Sequence, residues 1–221
     1  MKRFFSESNW LYRFLYGLAN WMILSVLWCV SSLPVVTIGI ATTSLYAVSL
    51  QLVRGEEPPI IKTFFRSFRI NFRQGLILGL IVLAAIAITI GDYYIYRISE
   101  GFVRSMFAGF SMVSVGILLL ILPYLFPLLA QFDNTVAQMI KNSFVLSVAN
   151  LPTTVVLWIF HSIPVLLVLI SLELVLQSLL ILLVLLPAGM AYLCSKKINR
   201  IFEPLMVSDD QVEQEEHVLE C

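Results

Sequence analysis

The side chains able to do chemistry are few, and no two of them stand at a spacing that makes a site. The histidines are His161, inside an apolar stretch, and His217, close to the C-terminal end. Cys29 and Cys194 lie in or at the ends of apolar spans, and Cys221 ends the sequence. One imidazole in a span and another far off do not make a metal centre without several carboxylates, and the cysteines follow no paired pattern. There is no GxxxxGK[ST] to cradle phosphates, no HExxH and no GxSxG nucleophile turn. The reading is a protein without catalytic residues, cofactor or metal.

Ionisable groups inside an apolar tract are where function is first sought. His161 could line a polar cavity, but a hydrogen bond to a neighbouring helix is favoured, because unpaired imidazoles in lipid are rare. Glu173 could belong to a solute path; its place at a required outer turn favours a solvated loop carboxylate, with Gln177 packing helices. The segment Thr37–Ser44, with Pro34 before it, offers small and hydroxyl side chains: Thr37, Gly39, Thr42 and Thr43. These suit either a polar path or close helix contact, and packing is favoured.

The stretch Pro58–Gln74 (PPIIKTFFRSFRINFRQ) carries the strongest pattern. At about 100° per residue, Ile61, Phe64, Phe65, Phe68 and Phe72 share a helix face, and Lys62, Arg66, Arg69 and Arg73 form a stripe along its flank. Pro58 and Pro59 suit the start of a helix, where Glu56 and Glu57 complement its dipole. A basic helix with an aromatic face belongs at a membrane surface. Phe64, Phe65, Arg66, Phe68, Arg69, Asn71, Phe72 and Arg73 are therefore the candidate contacts with a partner or with anionic lipids of the inner leaflet.

What must position these residues is a membrane body. Of 221 residues, 59% are hydrophobic and 13% charged, with mean hydropathy +0.92. A soluble domain is nearer half apolar and about a quarter charged. Spans are expected at about 14–33, 35–53, 75–90, 106–130, 152–171 and 174–194, each near the ~20 residues that cross a bilayer. The first is too long for a signal-peptide core. Whether 35–53 crosses or re-enters is open. Pro123 and Pro127 imply a kink or an early helix end, Asp133-Asn134-Thr135 offers a cap, and Val136–Ala149 is a second, milder amphipathic segment. Residues 1–204 form one domain. The acidic tail 205–221 is expected to be disordered.

The charges orient this body. Twelve Lys and Arg fall on the side of Met1–Arg13 and Arg54–Arg73, and only Arg97 and Arg104 on the other. By the positive-inside rule both termini are cytoplasmic. The fold class expected is all-α: a polytopic membrane protein of about six transmembrane helices with cytoplasmic amphipathic helices. A four-pass version with a re-entrant hairpin stands behind it.

Three motifs, SSLPVVTIGIATTSLYAV, FFRSFRINFRQG and MIKNSFVLSVANLPTT, occur in that order. In them the chain resembles the YesL family of small bacterial integral membrane proteins, over nearly its whole length to about residue 200. The matching positions are Pro34, Thr37, Gly39, Phe65, Phe68, Asn71, Phe72, Asn142, Asn150 and Pro152, and the resemblance assigns no role to any of them. Such members are typically encoded beside carbohydrate ABC importers and sensor-kinase systems in Firmicutes. The resemblance thus implies an accessory subunit in a bacterial plasma membrane, associated with an oligosaccharide ABC importer through its permease or ATPase. A stand-alone small-solute transporter or channel is the alternative. No nucleic-acid partner is expected. The EAA…G loop by which importer permeases engage their ATPase is absent.

Overall fold

The computed structural model describes the backbone of residues 10–170 and 179–219, with side chains for 15–163, 166 and 183–206. Within it the chain is all-α. In order come α1 (Trp10–Ser31), a 3-10 turn (Val35–Thr37), α2 (Ile38–Val53), α3 (Ile60–Ile70), α4 (Phe72–Ile98), α5 (Gly101–Gln131), α6 (Val136–Ala149), α7 (Leu151–Ile170) and α8 (Leu179–Leu219). Residues 1–9 of the expected basic segment 1–13, the expected outer turn at Glu173 and the packing residue Gln177 lie outside the described residues.

The molecule is assembled around α2, which touches α1, α3, α4, α5 and α8. Its sequence explains why. Gly39, Ala41, Thr43, Ser44 and Ser49 are small and buried, and small residues let backbones approach where lipid offers no hydrophobic drive between helices. The tightest approach is at Gly39. A Cβ there would sit 2.7 Å from the Gly75 carbonyl oxygen and 2.9 Å from the Gly79 Cα. Gly75 and Gly79 are a GxxxG pair on α4, so α2 and α4 meet backbone to backbone. The bend before α2 is closed by Thr37, whose hydroxyl donates to the carbonyls of Ser31 (2.6 Å) and Pro34 (2.7 Å). Gly55, with φ +79°, turns the chain out of α2.

Helices α4 and α5 form a long hairpin joined only by Ser99 and Glu100. The expected span 75–90 continues as helix through the aromatic Tyr93–Tyr96 stretch to Ile98. Arg104, expected in the connection, lies in the first turn of α5, where its guanidinium meets the Tyr96 ring at 5.0 Å. Only 17% of the best apolar stretch of α4 is buried, against 61% for 35–53. Burial on α5 is confined to its last third, where Pro123 to Leu129 are buried on every face.

Neither Pro123 nor Pro127 ends α5, and at Pro123 a neighbouring helix satisfies the carbonyl that the proline leaves open. A proline at i frees the carbonyl at i−4. For Pro123 that is Leu119, and the Trp158 indole of α7 donates to it at 2.6 Å. The same occurs in α8, where Pro187 frees the Leu183 carbonyl. The Cys29 thiol of α1 donates to that oxygen at 3.6 Å, and the adjacent Ala188 N–H donates to Ser25 Oγ at 3.1 Å. In a bilayer this substitution is what makes interior prolines tolerable.

Helix α6 starts on a capping box between Thr135 and Gln138. It meets α7 at a bend of 103° at Asn150. Thr154 holds the bend: its hydroxyl reaches the carbonyls of Ser147 (3.0 Å) and Asn150 (3.1 Å) and, at 3.3 Å, the buried Tyr124 hydroxyl of α5.

Among the described residues, three helices are long and apolar enough to cross a membrane: Val35–Val53 with its leading turn, Phe72–Ile98 and Gly101–Gln131. The bent pair Val136–Ala149 and Leu151–Ile163 makes a fourth if taken as one broken span. Of the other expected spans, Leu15–Ser31 is apolar but shorter, and the fifth and sixth run into residues outside the described set. The backbone of α8 stays helical through the acidic residues to Leu219, where an unstructured tail is expected from composition.

Candidate functional site

Two places gather the residues singled out from the sequence: the surface of α3 and a space between the membrane helices. On α3, Ile60, Phe64 and Ser67 are buried and Phe68 is half-buried, against α1 and α2. Ile61 and Phe65, one flank over, are exposed. The inward face is therefore centred on Phe64 and not on the whole Ile61–Phe72 set, because α3 seats on protein as well as lying along an apolar boundary. Lys62, Arg66 and Arg69 project away from that seat and are exposed. The helix stops at Ile70; the Asn71 backbone N–H donates to the Ser67 carbonyl at 2.9 Å and its side-chain amide to Ser67 Oγ at 3.2 Å. Phe72 and Arg73 belong to the first turn of α4, so the single helix expected over 58–74 is two. Ring contacts still bridge the break: Phe64 to Phe68 at 6.3 Å and Phe68 to Phe72 at 6.0 Å.

Beside this surface, between α3 and the first half of α1, lies a groove of about 860 Å³. Ile61, Phe65 and Ile70 with Ile23 and Tyr16 of α1 give it apolar walls, and Lys62, Arg66 and Arg69 line its outer edge. On the other flank of α3 a more polar recess of about 500 Å³ runs toward Gln131 and Asp133, and Lys62 and Arg66 line that as well.

The second place is a space of about 650 Å³ bounded by α1, α2, α4, α5, α7 and α8. Gly39, Thr42 and His161 all line it. Its polar groups are largely engaged. Thr42 Oγ1 accepts the Trp28 indole N–H at 3.2 Å. His161 Nδ1 lies 2.8 Å from the Leu157 carbonyl, which can only accept, so that nitrogen carries the proton. Cys194 Sγ lies 4.0 Å from the same nitrogen. Thr43 and Ser44 bond back to Gly39 O (2.9 Å) and Ile40 O (3.0 Å). Of the hydroxyls in this run, only that of Thr42 reaches the space. Pro34 and Thr37 stay at the bend before α2, and the arrangement provides no paired acid and base for proton transfer.

One polar cluster escaped sequence reasoning. Arg54, at the end of α2, donates through Nε to Asn199 Oδ1 of α8 (3.0 Å) and through Nη2 to Gln131 Oε1 of α5 (2.6 Å). Gln131 in turn donates to the Met206 sulfur at 3.2 Å. Arg54 thus ties three helices together at the end where α3 leaves the bundle. In the sequence it reads only as one more cytoplasmic cation.

Residues 21–93, which hold the bend, α2, α3 and the Gly75–Gly79 pair, match a family described as "Protein of unknown function, DUF624". Two relatives come from Bacillus subtilis (strain 168). One, named as uncharacterized protein YesL, is 28% identical over 157 residues, 69% of this chain and 73% of its own length. The other, named as uncharacterized protein YteU, is 30% identical over 154 residues, 66% of this chain and 64% of its own length. Over these stretches the chain is similar to the DUF624 family and to its YesL-like relatives. No solved structure matches it. The family match falls on the residues where the backbones of α2 and α4 approach most closely and on the cationic helix between them.

Proposed function

We propose that the protein is a non-catalytic integral subunit of a bacterial plasma membrane. It works by contact with a carbohydrate ABC importer, with both termini and α3 on the cytoplasmic side. The observation that carries this reading is the surface of α3, whose cations point away from the bundle next to exposed Ile61 and Phe65. That is a face left for something other than the chain's own core. The importer as partner is what the family resemblance implies; α3, and α6 with its exposed Lys141, would meet the permease or the ATPase. Tagged protein isolated from native membranes after mild cross-linking is expected to bring importer subunits with it. Consistent recovery without them would end the proposal.

A stand-alone small-solute transporter or channel is the second reading, favoured by the space that Thr42 and His161 line. The pairing of its polar groups weighs against a hydrated sugar there, since each hydroxyl stripped of water needs a new partner. Flux of a sugar panel into vesicles holding only the purified chain would reverse that order.

A further inference from the structure

We infer that the groove between α1 and α3 is a discrete binding site for one anionic phospholipid of the inner leaflet. The inference rests on the membrane placement proposed above and not on the importer. Around α3 the residues fall in a fixed order: the buried Ile60, Phe64 and Ser67, then exposed Ile61 and Phe65, then Arg69, Lys62 and Arg66. A molecule lying along the Ile61–Phe65 flank therefore touches hydrocarbon first and cations second. That is the sequence of chemistries met on going from acyl chain to phosphate. Ile23 and Tyr16 on α1 close the far wall, so a chain is held between two helices rather than resting on one.

Charge complementarity selects the headgroup. Lys62, Arg66 and Arg69 all line the groove, and no carboxylate is among its described lining residues; Glu56 and Glu57 stand outside it. Arg66 also lines the polar recess on the opposite flank. Its guanidinium can take a phosphate in a fork geometry that an ammonium cannot match. A zwitterionic headgroup would place its own cation beside three others. An anionic one adds no such repulsion.

The test uses the full-length protein, delipidated and returned to defined lipids, with retained lipid counted by native mass spectrometry. Wild type is expected to hold one phosphatidylglycerol in preference to phosphatidylcholine. Each basic residue near a membrane surface is worth about fivefold, so Arg66→Gln with Arg69→Gln should weaken retention about thirtyfold. Arg97→Gln with Arg104→Gln, at the far end of the hairpin, should leave it unchanged. Phe65→Ala should weaken retention of the intact lipid as well, and soluble glycerol phosphate should not displace it. Equal retention of both lipids by wild type, no loss in the Arg66/Arg69 variant, or displacement by glycerol phosphate would each overturn the site. Importer co-purification run on the same samples keeps the two proposals apart. Loss of lipid with importer retained supports this site alone, and loss of importer with lipid retained strikes only the partner.

Discussion

Trp158 and Pro123 make the sharpest case at the scale of single residues. If the Trp158 indole is there to satisfy the Leu119 carbonyl that Pro123 frees, the two positions must be energetically coupled. Trp158→Phe should lower stability by about 1–3 kcal/mol, the cost of a carbonyl left unpaired where lipid rather than water surrounds it. Pro123→Ala restores a local N–H to that carbonyl, so in its presence the same change should cost markedly less. Thermal unfolding in detergent across the four-member cycle measures this, and strict additivity would rule the pairing out. Arg54 allows a parallel argument. Arg54→Lys keeps the charge but loses the fork that reaches Asn199 and Gln131 together, so it should destabilise nearly as much as Arg54→Gln, by about 1–3 kcal/mol. Full rescue by lysine would reduce Arg54 to a topology signal.

At the scale of elements, the contact between α2 and α4 is the one to break. Gly39→Ala puts a methyl group where the Gly75 oxygen and the Gly79 Cα already stand, and backbone cannot yield cheaply. A loss of about 1–3 kcal/mol is expected from overpacking. Gly189→Ala, with nothing within 4 Å of the added carbon, should be neutral or slightly stabilising. Equal melting temperatures for the two variants would show that α2 and α4 do not meet as described. Much of this layer was legible in the sequence. The bend at Ser31–Pro34, the cap at Thr135 and the separate helix 136–149 follow from local chemistry that needs no tertiary context. Gly39 stands out in the sequence as a packing residue, but its partners Gly75 and Gly79 do not, because which helices touch is not a local property. The break at Asn71 shares that cause, since α3 seats on α1 and α2 while α4 runs on beside α5. At the site, sequence periodicity found α3 and its cations. It could not tell Phe64 from Phe65, since both lie on the apolar side and only the neighbouring helices decide which is covered.

For the molecule as a whole, orientation is the expectation that everything proposed leans on. In a variant with Cys29, Cys194 and Cys221 replaced, single cysteines at Glu57 and Glu100 should label from opposite sides of intact cells. Glu57 is expected to react only after permeabilisation, and Glu100 with an impermeant reagent from outside. Labelling of Glu57 from outside would remove α3 from the cytoplasm, taking the lipid site and the importer contact with it. The hairpin of α4 and α5 has a separate meaning at this scale. At 1.5 Å per residue its arms are about 40 and 46 Å long, more than the ~30 Å of a hydrocarbon core. Among the described residues, only the end nearest Gln131 is wrapped by other helices. Ile86, Ile90, Met112 and Val113, farther along, are exposed. The buried contacts and the outward-facing apolar side chains thereby occupy different stretches of the same two rods. Changes along the bare stretch can alter which neighbours the protein gathers, or how thick a bilayer it prefers, while its melting temperature stays where it was.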